Sequence, residues 1–171
     1  GDSCMDMIAN EWLKRPGLTE SQLAGNIMKY FTDHGFEEGQ AFCVASGGNT
    51  NPYQRWWSDK PIRQGDLVIT DIGGRGPGGG YYVDFTRTHV CGDAAPTAEQ
   101  KKLYKEAMDT TMGAVNEAWP GKTTADAAKH FPEYDDDIYK TCSLFQFGHS
   151  IGLTLYEGMW ISRGFSFDFP A

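Results

Sequence analysis

The stretch that decides the fold is "GDLVITDIGGRGPGGGYYVDFTRTHV", Gly65 to Val90. Two runs rich in β-branched and aromatic residues flank a glycine-rich connection, which predicts a β-hairpin. In a strand, alternate residues share a face, so Tyr82, Asp84, Thr86 and Thr88 line one side of the second strand. Closing the hairpin lets Asp71 sit across from Asp84. Two carboxylates at that distance repel unless a proton or cation lies between them. Hard oxygen donors suit Mn²⁺ and Mg²⁺, and a histidine nitrogen widens the choice to Zn, Fe and Co. Asp71 alone also reads as a solvated turn residue. That reading weakens because Asp71 directly follows the apolar run "LVIT", where an unpaired carboxylate is costly.

The flanks alternate helix and strand. Met5 to Leu13 has a helical pattern. "GLTESQLAGNIMKYFTDHG" predicts a second helix, with a Thr19–Gln22 capping box at its start and Gly35 as its stop. "AFCVASGG" reads as a strand ending in glycines, and "NPYQRWWSDKPIRQGD" as a loop. After the hairpin, Thr97 and Gln100 form another capping box. In the helix they open, Tyr104, Met108, Met112, Val115 and Trp119 recur every three or four residues, which predicts one buried stripe. "TTADAAKHF" starts a further helix. "CSLFQFGHSIGLTLYE" is expected to return to extended structure.

A weak repeat runs through this order. Asn10-Glu11 matches Asn116-Glu117, Pro16-Gly17 matches Pro120-Gly121, and Thr19 matches Thr123, all 104 to 106 residues apart. Two copies of a helix–helix–strand–hairpin unit would place a second hairpin at about residue 171, where these residues stop.

Downstream, "FQFGHSIGLTLYEGMW" (Phe145 to Trp160) holds His149 in an apolar stretch. Alone, it reads as a buried core histidine. The flanking Gly148 and Gly152 allow close backbone approach, a feature that ligand sites use.

Bulk properties narrow the function. The 171 residues suffice for one domain with a core, and 40% are apolar. A net charge of −8 argues against a nucleic-acid partner, which needs a basic face. No apolar run is long enough to cross a membrane, and no signal-peptide pattern opens the chain. Cys4, Cys43, Cys91 and Cys142 show no C-x-x-C spacing, so a reduced, cytoplasmic chain is expected. The first residue is Gly1, so the chain is expected to be a piece of a longer one. The acidic run "EYDDDIYK" lacks calcium-loop spacing and reads as a solvated helix end.

Taken together, "D-x-G…G-Y-x-x-D-x-T-R-T" (Asp71 to Thr88) and "G-H-S-I-G" (Gly148 to Gly152) resemble the pita-bread metallopeptidase superfamily. That superfamily includes methionine aminopeptidase, aminopeptidase P, prolidase, creatinase and a dimethylsulfoniopropionate lyase. The resemblance covers the chain from about Met5. It implies an α/β (α+β type) pita-bread fold of two pseudo-symmetric halves, about 1–95 and 96–171, forming one catalytic domain whose second half is incomplete. It implies two divalent metal ions (Mn, Zn, Fe or Co), with Asp71, Asp84 and His149 as ligands. Thr86 and Thr88 would support the ligands, and Arg87 would orient a carboxylate. Tyr156 stands where the peptidases carry a second histidine, which makes it a catalytic candidate. Tyr53, Arg55 and Trp56 follow the "S-G-x-N" stretch and are candidates for substrate binding, although the peptidases place a histidine there. Trp56 and Trp57 also read as a loop packing on a neighbouring domain or subunit.

Departures leave several functions open. The family's two glutamate ligands, on a later hairpin, are expected beyond Ala171; Glu157 lies too early to replace them. The main expectation is a dinuclear metal-dependent hydrolase of the Xaa-Pro dipeptidase or aminopeptidase type, acting on a short peptide or small molecule and forming a homodimer. A lyase or a creatinase-like amidinohydrolase on the same scaffold is the first alternative. An inactive pita-bread binding module or fragment is the second.

Overall fold

The computed structural model describes residues 1–51, 55–133 and 146–170. The chain divides into two compact units: Gly1–Pro96 with Ile151–Leu155, and Thr97–Ser150 with Tyr156–Ala171. Tyr53, residues 134–140 of the acidic run, and Cys142 lie outside the described residues.

In the first unit, α1 (Asp2–Met7) runs into a wider π-type turn, Ile8–Trp12, closed by a Leu13 N–H to Ile8 carbonyl hydrogen bond of 2.9 Å. Helix α2 (Glu20–Asp33) starts at the expected capping box: the Thr19 side chain accepts from the Gln22 N–H, and the Gln22 side chain returns the favour at the Thr19 N–H. The chain leaves α2 through Gly35, at φ +79°, in the left-handed region that glycine tolerates best. Leu23, Ile27 and Phe31 recur every four residues and are buried on one face of α2. They join Cys4, Ile8, Val44, Val68 and Ile72 in a single core. Burying each large apolar side chain contributes roughly 1.5–3 kcal/mol.

The sheet under these helices is antiparallel, in the order β1 (Gln40–Ser46), β2 (Leu67–Arg75), β3 (Tyr82–Val90). Strands β2 and β3 form the expected hairpin, paired from Leu67 with Val90 to Arg75 with Tyr82. Val68, Thr70 and Ile72 face the helices and are buried. Asp71 and Gly73 lie on the other face. The register of β1 against β2 shifts between Ala41 and Cys43, so Phe42 is the extra residue of a bulge. Its ring lies over Gly73, where an added Cβ would come within 2.6 Å of the ring and 2.3 Å of the Val83 carbonyl.

In the second unit, α3 (Ala98–Asn116) begins at the predicted Thr97–Gln100 capping box. Helix α4 (Thr124–Ala128) begins at Thr123 with a capping box of its own, to Asp126. The expected buried stripe on α3 is not buried: Tyr104, Met108, Met112, Val115 and Trp119 are between 43% and 65% exposed. The helix docks on the α4 region through its small residues instead. Ala114 is buried, and a Cβ on Gly113 would meet the His130 ring at 2.4 Å. Extended structure around His149 is also shorter than expected. Among the described residues there, β4 (Gly148–His149) pairs with β5 (Trp160–Ile161), and the chain bends between Gly152 and Leu155.

The repeat has a structural counterpart. Thr19 bridges Pro61, and Thr123 bridges Asp168. The next residues, Glu20 and Thr124, donate their N–H groups to Lys60 and Phe167 at 3.1 and 2.9 Å, and both are fully buried.

Candidate metal and substrate site

The β2–β3 register places Asp71 opposite Thr86 and Asp84 opposite Gly73. Asp84 is thus a diagonal neighbour of Asp71 on the same face, two residues along from the facing position expected. The turn carries the pairing only as far as Arg75 and Tyr82, with Gly78 and Gly79 at φ +70° and +74° inside it. Facing positions share a side of the sheet, so Asp71, Asp84, Thr86 and Thr88 form one polar surface. The Thr86 hydroxyl donates to Asp71 Oδ1 at 2.9 Å. Thr88 lies opposite Ile69.

Arg87 belongs to the other surface. It pairs with Thr70, and its guanidinium lies 5.6 Å from the centre of the Phe85 ring while donating to the Thr86 carbonyl at 2.8 Å. Strand alternation therefore places it on the face opposite Asp71 and Asp84. Its neighbour on that surface, His89, is half-buried, and that burial together with the Arg87 charge lowers its tendency to protonate.

His149 lies on β4 in the second unit. Its Nδ1 is 3.1 Å from the Ser150 carbonyl. A carbonyl only accepts, so in this contact Nδ1 is the donor. The Tyr156 and Trp160 rings lie 4.4 and 5.9 Å from the imidazole. Tyr156 is itself half exposed.

The loop after β1 contributes two candidates. Arg55 and Trp56 are exposed, Trp56 at 66%, and Trp56 meets Trp57 edge to face at 5.1 Å. Trp57 packs on the core of its own unit. Cys43 is paired with Asp71 across β1–β2 and is buried. Burial pushes its thiol up, the nearby Arg55 backbone N–H pulls it down, and the negative charge of Asp71 raises it further.

Sequence reading missed Glu20. Its position in the first turn of α2 reads as a routine favourable charge at a helix start, and no local pattern reports that it is buried. Oε1 accepts from the Ser46 N–H at 2.7 Å, the Ser46 hydroxyl at 2.8 Å and the Asn49 amide at 3.1 Å. Oε2 accepts from the same Asn49 amide at 3.1 Å, the Ser58 N–H at 3.1 Å and the Ser58 hydroxyl at 2.6 Å. Burial alone would push the carboxyl up, but the bonds from Ser58, Ser46 and Asn49 outweigh it and hold Glu20 below its ordinary value.

On the first unit's sheet the donor chemistry suits a divalent cation, because two carboxylates share one face. No cluster of three or more His, Cys, Asp and Glu side chains able to hold a metal occurs among the described residues. Residues 1–168 match the model of metallopeptidase family M24. The chain belongs to this family. The M24 chain is 31% identical over 157 residues to the probable dipeptidase PepE of Mycobacterium tuberculosis, covering 87% of this chain and 39% of that protein. It is 32% identical over 153 residues to the Xaa-Pro dipeptidase of Pyrococcus furiosus, covering 86% of this chain and 42% of that one. The crystal structure of dipeptidase PepE from Mycobacterium ulcerans superposes with a TM-score of 0.76 at 28% identity, covering 94% of this chain and 43% of that chain. The M24 chain thus has the pita-bread fold and spans about two-fifths of the length of the relatives it matches. No helix among the described residues is long and apolar enough to cross a membrane.

Proposed function

We propose that this M24 chain carries part of the catalytic centre of a dinuclear metal-dependent hydrolase that cleaves short peptides of the Xaa-Pro type. The observation that carries the reading is the Asp71–Thr86 hydrogen bond on the face that Asp71 shares with Asp84. It holds one carboxylate oxygen and leaves the group aimed at the same side as its diagonal neighbour. Asp71 and Asp84 would hold divalent ions through oxygen, and His149 through Nε2. Bound there, such ions supply Lewis acidity and an acidified water. The chain's own part is orientation. Thr86 holds one Asp71 oxygen, and the Ser150 carbonyl engages His149 Nδ1. Arg55 and Trp56 offer a cation and an apolar ring to a peptide, and the Tyr156 hydroxyl offers a proton donor near His149.

Manganese heads the candidate metals because both carboxylates are hard donors. The free, buried thiols of Cys4, Cys43 and Cys91 fit a reducing cytoplasm. The exposed α3 stripe fits a homodimer. The reading is tested by loading the purified chain with Mn²⁺ or Zn²⁺, measuring bound metal by mass spectrometry, and assaying an Xaa-Pro dipeptide beside dimethylsulfoniopropionate and creatine. Metal uptake lost in Asp71→Asn and Asp84→Asn, with dipeptide cleavage, is the expected result. A chain that takes up no metal overturns it. Metal uptake with cleavage of another substrate alone moves it to the lyase or amidinohydrolase branch.

A further inference from the structure

Glu20 is the one fully buried acidic side chain among the described residues, and no cation pairs with it. The nearest ammonium group it reaches is indirect: Lys60 Nζ donates to the Ser46 hydroxyl at 2.7 Å and pairs with Asp66 at 3.0 Å. A buried charge held by neutral donors alone is expensive to retain. The second unit shows that the local architecture does not require it. At the matching place Thr124, also fully buried, accepts the Phe167 N–H through its hydroxyl at 3.1 Å. A neutral side chain thus serves the same helix start and the same bridge.

What the charge adds in the first unit is reach. One Glu20 oxygen takes Ser46 and Asn49, the other takes Ser58, and Asn49 spans both. The carboxylate therefore staples the two ends of the segment that carries Arg55, Trp56 and Trp57. The same segment brings the Arg55 backbone near Cys43, the β1 partner of Asp71. We propose that Glu20 is a positioning residue, which clamps the ends of the loop after β1 so that Arg55 and Trp56 stand beside the Asp71 face as a substrate wall. The substrate part of this inference rests on the peptidase reading above; the clamp does not.

The test is residue-resolved hydrogen exchange on the whole chain. Glu20→Gln keeps the shape but replaces an acceptor with a donor facing either Ser46 or Ser58. Ser58→Ala leaves the buried carboxylate intact, so it decides the matter should Glu20→Gln fail to fold. Each bond removed corresponds to roughly a tenfold loss of protection. The expected result is a loss of about that size at Ser46–Asn49 and Arg55–Ser58, with β2 and β3 within about twofold of the parent. In the Mn²⁺-loaded chain acting on an Xaa-Pro dipeptide, KM in Ser58→Ala is expected to rise severalfold with kcat nearly unchanged. Unchanged exchange in the loop overturns the proposal, as does equal loss throughout β2, which would make Glu20 a support of the core alone. A loosened loop with kcat and KM both at parental values overturns the substrate wall. A chain that cleaves no dipeptide fails the peptidase reading only, and the exchange pattern then decides the clamp.

Discussion

Thr86 and Asp71 face each other across the β2–β3 ladder, and the threonine hydroxyl donates to the carboxylate at 2.9 Å. A hydrogen bond of this kind fixes which carboxylate oxygen is turned toward a cation, and losing such support commonly costs 10- to 100-fold in metal affinity. Thr86→Val keeps the shape and removes the donor. It is expected to weaken Mn²⁺ binding about tenfold in a competition titration, with Thr86→Ser close to the parent. Equal affinity in all three would remove Thr86 from the site.

Glu20 sets a pH dependence. Its folded-state pKa is lowered, so the folded form binds its proton less readily than the unfolded chain does. The stability it contributes is therefore complete above the unfolded value of about 4.3 and is lost as pH falls through the lower folded value. Urea denaturation followed by circular dichroism should show a steady midpoint from neutral pH to about pH 5, then a fall on further acidification. Glu20→Gln should be less stable at neutral pH and should flatten the acid limb. A variant with the parent's acid limb would show that other carboxylates control it.

The α3 face makes a contrast with α2. Met112→Glu is expected to change stability by no more than about 0.5 kcal/mol, because the side chain is half exposed. Phe31→Ala should cost about 3–5 kcal/mol, because Phe31 fills the core under α2. Analytical ultracentrifugation of the parent should show concentration-dependent association through the apolar stripe, reduced in Met112→Glu. A monomer at every concentration would count against the homodimer.

Gly73 is required by its neighbours. A methyl group there would lie 2.3 Å from the Val83 carbonyl and 2.6 Å from the Phe42 ring. Gly73→Ala is expected to lower stability by about 1–3 kcal/mol and to disturb the strand opposite Asp84. Thermal denaturation checks the first effect. Phe42→Ala combined with Gly73→Ala should relieve the contact with the ring and leave the contact with the carbonyl.

Local chemistry made much of this molecule readable. The Thr19 and Thr97 capping boxes use atoms three residues apart, and the spacing of Leu23, Ile27 and Phe31 follows from helix geometry. Alternating β-branched residues around a glycine-rich turn specified the hairpin and put Asp71, Asp84 and Thr86 on one face. The same alternation, followed one step further, places Arg87 on the opposite face; a family motif read as a string hides this.

The rest depended on contacts between residues far apart in the chain. Periodicity shows that α3 has an apolar side, but burial requires something to cover it, and the small residues at Gly113 and Ala114 made the docking contact instead. Strand pairing moved Asp84 to a diagonal position, because register depends on where the turn closes. Glu20 and Ser58 are 38 residues apart, and no pattern within α2 can report that a carboxylate there has left water for a set of loop donors. By itself the sequence determined the helices, the hairpin and the face that carries the aspartates, since neighbours in the chain set those. Tertiary structure alone decided which side chains lost their water and what replaced it.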